Sequence, residues 1–211
     1  MSGFLSLGNK IIKPEAAARS IVNNLRASTG KPWPQISKVL SRGTNGITFL
    51  TAETPPRIMK FALGNATREI SALQKLTAAG ANFIPRVNSN FVTIRKFKNT
   101  NSKNLLFNPN SMNTVNRQQR MTAYVMNKVG NVNLWRYVKT NHRINNSNKR
   151  KIRDDILKAI EFMHKQGISH GDLHSGNVLV ELDNSGHMKK LWVIDFGRYV
   201  NIPIGSNEKQ V

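Results

Sequence analysis

The chain has 211 residues, with 32 Lys and Arg against 11 Asp and Glu, a net charge of +21 and no cysteine. That length allows one sizeable core or two small lobes sharing an interface, while the lack of cysteine excludes disulfides and thiolate chemistry and the five scattered histidines offer no zinc-type spacing. The charge calls for polyanionic surroundings, which nucleic acid, an acidic protein or a phosphate-rich ligand would each supply, unless the basic residues simply solvate the surface.

In chain order, Met1 to Leu5 lack the basic-then-apolar pattern of a signal peptide, and no later apolar run approaches the roughly 18 residues that span a bilayer. An intracellular, cytoplasmic protein is expected, with the nucleus or a virion as alternative locations. Residues 14 to 28 predict a helix: Pro14 suits its first turn, Ala16 to Ala18 favour helix, and Ile21, Val22 and Leu25 form a stripe. Three β-rich runs follow, Ile36 to Leu40, Ile47 to Ala52 and Arg57 to Ala62, separated by Gly-rich or Pro-rich turns as in an antiparallel meander. An amphipathic helix is predicted from Ala66 to Ala79, a strand from Phe91 to Phe97, and a long loop over the Asn-, Ser- and Lys-rich residues 98–120. Beyond it come a strand from Met121 to Met126, a short helix around Leu134 to Val138, and a helix from Lys149 to Gln166 stopped by Gly167. The strands Val178 to Leu182 and Lys190 to Ile194 flank the turn Asp183-Asn184-Ser185-Gly186.

Several of these elements present groups suited to phosphoryl transfer, which asks a protein to grip phosphates, hold metal and aim the acceptor. The turn containing Ser41, Gly43 and Gly46 lets backbone N–H groups approach phosphate oxygens, as small residues in any hairpin turn would also allow. Lys60 lies in the apolar strand Ile58-Met59-Lys60-Phe61-Ala62 and calls for an anion. The α- and β-phosphates of ATP would serve, with Glu69 in the following helix holding the lysine. A lysine snorkelling to solvent and a glutamate favouring a helix N terminus would give the same pattern. Asp172 and Asn177 lie five residues apart on a loop ending in Val178-Leu179-Val180. Asp172 would take the acceptor's proton and Asn177 would ligate magnesium, while Asp195 would bind the metal bridging the phosphates. His170 and His174 bracket Asp172 and are read as ordering the loop through hydrogen bonds.

With the stretches His170-Gly171-Asp172-Leu173-His174-Ser175-Gly176-Asn177 and Val193-Ile194-Asp195-Phe196-Gly197, the chain resembles the protein-kinase-like superfamily from about Ile36 to Arg198. The resemblance implies an α+β, bilobal fold with a β-rich N-lobe and a truncated, mainly helical C-lobe. Residues 1–35 would be a helical extension, 36–126 the N-lobe carrying the loop 98–120, and 127–211 a minimal C-lobe. It implies ATP and magnesium, or manganese in its place, with adenine meeting a hinge near Met126 and Lys128 and packing against Leu40 and Ile58. A Ser/Thr protein kinase acting on a protein substrate is the first expectation. A small-molecule phosphotransferase, similar to aminoglycoside or choline kinases, and a pseudokinase binding nucleic acid stand beside it.

Four departures from the family pattern matter. Ser41 replaces the first glycine of the phosphate loop, and nine positions separate Lys60 from Glu69, fewer than usual in protein kinases. Gly171 stands where an arginine usually precedes the catalytic Asp, which argues against switching by loop phosphorylation. Only 14 residues follow Gly197 in this sequence, and an Ala-Pro-Glu segment is not expected there. The compact form and the Asn/Lys-rich stretches also resemble kinase-like proteins of large DNA viruses.

Overall fold

A computed structural model describes residues 5–7, 10–12, 14–42, 46–63, 66–94, 121–140 and 144–204. The loop expected over 98–120 and the glycine at 43 lie outside the described residues. The chain forms two compact units, one drawn from residues 1–66 and 88–127 and the other from 67–87 and 128–211. The architecture is α+β, with the largest sheet in the first unit and most of the helix in the second.

In the first unit the short strands β1 (Leu5–Leu7) and β2 (Lys10–Ile12) pair antiparallel ahead of helix α1 (Pro14–Thr29). The main sheet comprises β3 (Ile36–Arg42), β4 (Gly46–Thr51), β5 (Arg57–Leu63), β6 (Val87–Ile94) and β7 (Met121–Asn127), in the order β3-β4-β5-β7-β6. The meander expected from β3 to β5 is present and antiparallel. Strand β6 begins at Val87 rather than Phe91, because an edge strand, paired on one side only, accommodates the polar run Asn88-Ser89-Asn90 that disguises it in the sequence.

Helix α1 packs on this sheet. Ala18, Ile21, Val22 and Leu25 fall at helical spacing and share a core with Trp33, Ile36, Phe49, Met59, Phe61 and Val125. Phe49 and Phe61 meet edge to face, with ring centroids 5.6 Å apart. Polar bonds fix the helix at both ends: the backbone N–H of Val39 donates to Glu15 Oε1 at 3.3 Å, and Arg26 Nε donates to the Trp33 carbonyl at 2.7 Å. The helix stops at Gly30, whose N–H donates to the Arg26 carbonyl at 3.0 Å and whose φ of +64° turns the following chain out of the helix.

The second unit contains α2 (Thr67–Ala78), α3 (Leu134–Thr140) and α4 (Asn146–Lys165). Helix α4 begins three residues before the expected Lys149, because the Asn145 side chain accepts the backbone N–H of Asn148 at 2.8 Å and caps it. The hairpin β10 (Val178–Leu182) and β11 (Met188–Val193) turns through Asp183, whose carboxylate accepts the N–H groups of Ser185 and His187 at 2.9 Å. The two-residue strand β8 (Val132–Asn133) joins the edge of that hairpin, and β9 (Ile168–Ser169) pairs with β12 (Val200–Asn201). Leu73 and Leu76 of α2, Ala159 and Met163 of α4, Val193 and Phe196 share one core. Leu134, Tyr137, Val178, Val180 and Leu191 share another.

Candidate active site

In the first unit, the residues expected to meet a nucleotide are organised by the two-residue period of the sheet. Met59 and Phe61 face the core shared with α1, so Ile58, Lys60 and Ala62 face the other way. Across that second face Thr48, Lys60 and Tyr124 form one row, and Leu50, Ile58 and Met126 form the next. An apolar row thus lies directly beside a half-buried lysine. Ser41 opposes Thr48 in β3, and Leu40 next to it is exposed. Gly46 has a structural reason of its own: a Cβ there would lie 2.8 Å from the Phe61 carbonyl oxygen, so glycine permits the close pairing of β4 with β5.

In the second unit, the loop from His170 to Asn177 is tied down by side-chain bonds to its own backbone and by bonds to Trp135 and Ile194. Asn177 is buried, and its Nδ2 donates to the Asp172 carbonyl at 3.0 Å. Its N–H reaches the His174 carbonyl at 2.8 Å, and its own carbonyl accepts from Ile194 at 2.9 Å. Asn177 therefore links the loop holding Asp172 to the strand end just before Asp195. Asp172 is half-buried, and Arg198 Nη1 lies 3.7 Å from its Oδ1.

Asp195 adopts the left-handed conformation, with φ and ψ both 66°, and is the one non-glycine residue with positive φ among those described. Such a backbone is strained for a residue with a Cβ and tends to occur where function requires a particular aim. Asp195 is exposed while the next residue, Phe196, is fully buried against α2 and α4. Glu69, in the first turn of α2, is also buried. Its Oε2 lies 4.0 Å, and Asp195 Oδ1 3.5 Å, from where a Cβ on Gly197 would sit, so the two carboxylates flank this glycine. Lys128 is exposed, with its Nζ 3.3 Å from the Gly130 carbonyl.

His170 makes the loop-ordering bonds expected of it. Its ring approaches the Ile194 carbonyl through Nε2 at 2.9 Å and accepts the Asp172 N–H at Nδ1 at 3.3 Å. A carbonyl can only accept, so the imidazole carries its proton on Nε2 and satisfies both bonds as the neutral form. Burial pushes its pKa below the ordinary histidine value, against the opposing effects of the Ile194 carbonyl and the charges of Asp195 and Asp172. The ring packs on Phe196, centroid to centroid 4.7 Å.

Two features were not read from the sequence. Gly171 has φ +72°, and a Cβ there would collide with the Arg198 carbonyl oxygen, which makes glycine a requirement of the loop rather than a bare loss of arginine. Arg198 itself reaches the Asp172 carboxylate across 26 positions of sequence, a pairing with no local signal.

Residues 60–210 match the protein kinase domain family. Over 43 residues the chain is 40% identical to the B1 kinase of Vaccinia virus strain Western Reserve and, separately, to the B1 kinase of Monkeypox virus. The shared stretch is 20% of this chain and spans 13% of the length of those curated relatives.

Proposed function

Because the chain belongs to the protein kinase domain family, we propose that it transfers the γ-phosphate of ATP, with magnesium, to serine or threonine hydroxyls of a protein. The observation that carries this reading is the bonded set around Asn177, which ties the loop of Asp172 to the strand end before Asp195. The donor chemistry fits a magnesium nucleotide: Asn177, its Nδ2 engaged by Asp172, has its amide oxygen as the remaining polar atom, and Asp195, an exposed residue, offers a carboxylate. Magnesium favours such oxygen sets and completes its shell with phosphates and water. When bound, the metal nucleotide supplies the transferable phosphoryl group and offsets its charge.

This chain's own residues would then act as follows. Asp172 orients the acceptor hydroxyl and takes its proton at a carboxylate oxygen. Arg198 and the Asn177 bond restrain that carboxylate and its backbone. Asn177 and Asp195 hold metal, and Lys60 holds the α- and β-phosphates, with Glu69 favouring its extended position. Ile58 and Met126 offer the apolar surface for the base, with Ser41, Gly43, Gly46 and Lys128 as further nucleotide contacts. The poxvirus relatives support a large DNA virus as the source. No helix among the described residues is long and apolar enough to cross a membrane.

The test is transfer of label from γ-labelled ATP, with magnesium, to basic and acidic test proteins, followed by phosphoamino-acid analysis. Phosphoserine or phosphothreonine is the expected product. Label found only on hydroxylated metabolites would replace the reading with a small-molecule phosphotransferase, and no transfer to any acceptor would favour a pseudokinase.

A further inference from the structure

Away from these residues, the second unit has a concavity of about 580 Å³ between the turn after α2, helix α4 and strand β11. Its apolar lining includes Ala81, Phe83, Ala159, Phe162, Leu191 and Val193. Four lysines also line it, Lys151 and Lys158 from α4 and Lys189 and Lys190 from β11, against the single acidic residue Asp155. None of the residues assigned above to nucleotide, metal or acceptor lines it. We propose that this groove docks an acidic peptide segment of a protein partner, with an apolar side chain of that segment seated among Phe83, Ala159 and Phe162.

The arrangement of charge selects this occupant. Lys151 and Lys158 are seven residues apart on one helix, which sets their backbones about 10 Å apart along its axis. Their charge is spread along the groove rather than gathered on one phosphate-sized point. The remaining pair stands on the opposite element, so an extended segment would pass between two basic sides. Three of the ammonium groups are already positioned by neighbours: Lys151 pairs with Asp155 at 2.6 Å, Lys189 pairs with Glu181 at 3.0 Å, and Lys190 lies over the Trp192 ring at 3.8 Å. Lys158 has no ion pair among the described residues. Four lysines stand against the carboxylates of Asp155 and Glu181, so an excess of positive charge carried by Lys158 and Lys190 remains for carboxylates supplied by a partner to complement.

A single-stranded nucleic acid would need free aromatic faces for stacking. Phe83 and Phe162 are instead engaged with each other edge to face, at 5.6 Å and 85°. A peptide side chain needs only apolar area to cover, which the lining provides.

Binding to the full 211-residue chain is to be measured by fluorescence anisotropy with a labelled peptide, Asp-Glu-Asp-Leu-Phe-Asp-Glu-Asp. Salt-sensitive binding is expected, weakened at least about tenfold when Leu-Phe becomes Ser-Ser and by a similar factor in the double variant Lys158→Glu/Lys190→Glu. The matched charge reversal Lys149→Glu/Lys165→Glu, on α4 but outside the groove, should change affinity less than about twofold. Thermal melts of both variants would establish that each is folded. Equal losses in the two double variants, equal binding of the Ser-Ser peptide, no peptide binding, or displacement by oligo-dT at matched charge would each overturn the proposal. The readout is independent of phosphate transfer, so its failure and that of the kinase reading are separable.

Discussion

The sheet of the first unit and the Asp172 loop of the second are built by different physics. Around Phe49 and Phe61, positions alternate between a sealed core and an open face, and each buried side chain contributes through apolar area. Around Asp172, the order comes from side-chain bonds to backbone, one positive-φ glycine and one strained aspartate. Damage to the sheet should therefore be read in stability, and damage to the loop in chemistry. That contrast is open to being broken.

The largest effect should come from Asp172→Ala, which removes the proposed proton acceptor. Turnover should fall by about 10²–10⁴-fold with little change in thermal midpoint. A large loss of stability instead would mean that Asp172 holds the loop together. Phe49→Ala should do the reverse, costing about 3–5 kcal/mol in denaturant unfolding while the activity per folded molecule stays close to that of the parent. Smaller, and mixed in character, is Gly171→Ala. The added Cβ meets the Arg198 backbone and takes a disfavoured φ, so a cost of about 1–3 kcal/mol is expected, together with reduced turnover as Asp172 shifts.

The pH responses are the finest test. The folded pKa of His170 is depressed, so the stability it contributes is complete above the unfolded value near 6.5 and is lost as pH falls through the lower folded value. The protection factor of the Asp172 amide against hydrogen exchange, normalised for the intrinsic rate at each pH, should fall on acidification through that window, and the effect should disappear in His170→Gln. On the sheet side, Arg57 forms a two-bond pair with Glu53, both contacts at 2.6 Å, and lowers the Glu53 pKa. Its contribution is present above the ordinary glutamate value and fades as pH falls through the lowered one. Because the pair is partly exposed, Glu53→Gln should cost under about 1 kcal/mol in urea unfolding at neutral pH and nothing once the carboxylate is protonated.

The same contrast explains what could be read from the sequence. Helix α1 was legible because Ile21, Val22 and Leu25 form a stripe behind Pro14 and a run of alanines, and β4 because a β-rich run is bounded by Gly-rich and Pro-rich turns. The two-residue strands β8, β9 and β12 were not, since two residues carry no period and their partners are distant in sequence. Asp172, Asn177 and Asp195 could be picked out by residue type and order, yet the bonds joining their segments could not. Gly171 was visible only as a missing arginine. Its actual constraint lies in the carbonyl of Arg198, which only the folded chain brings near.

The most direct test of the central claim is single-turnover transfer from magnesium ATP by the parent chain and by Asp195→Asn, with unfolding followed on the same samples. The substitution should abolish transfer while the unfolding midpoint stays within about 2 °C, since Asp195 is exposed and lies outside the buried cores. Transfer by Asp195→Asn at the parent rate would contradict it.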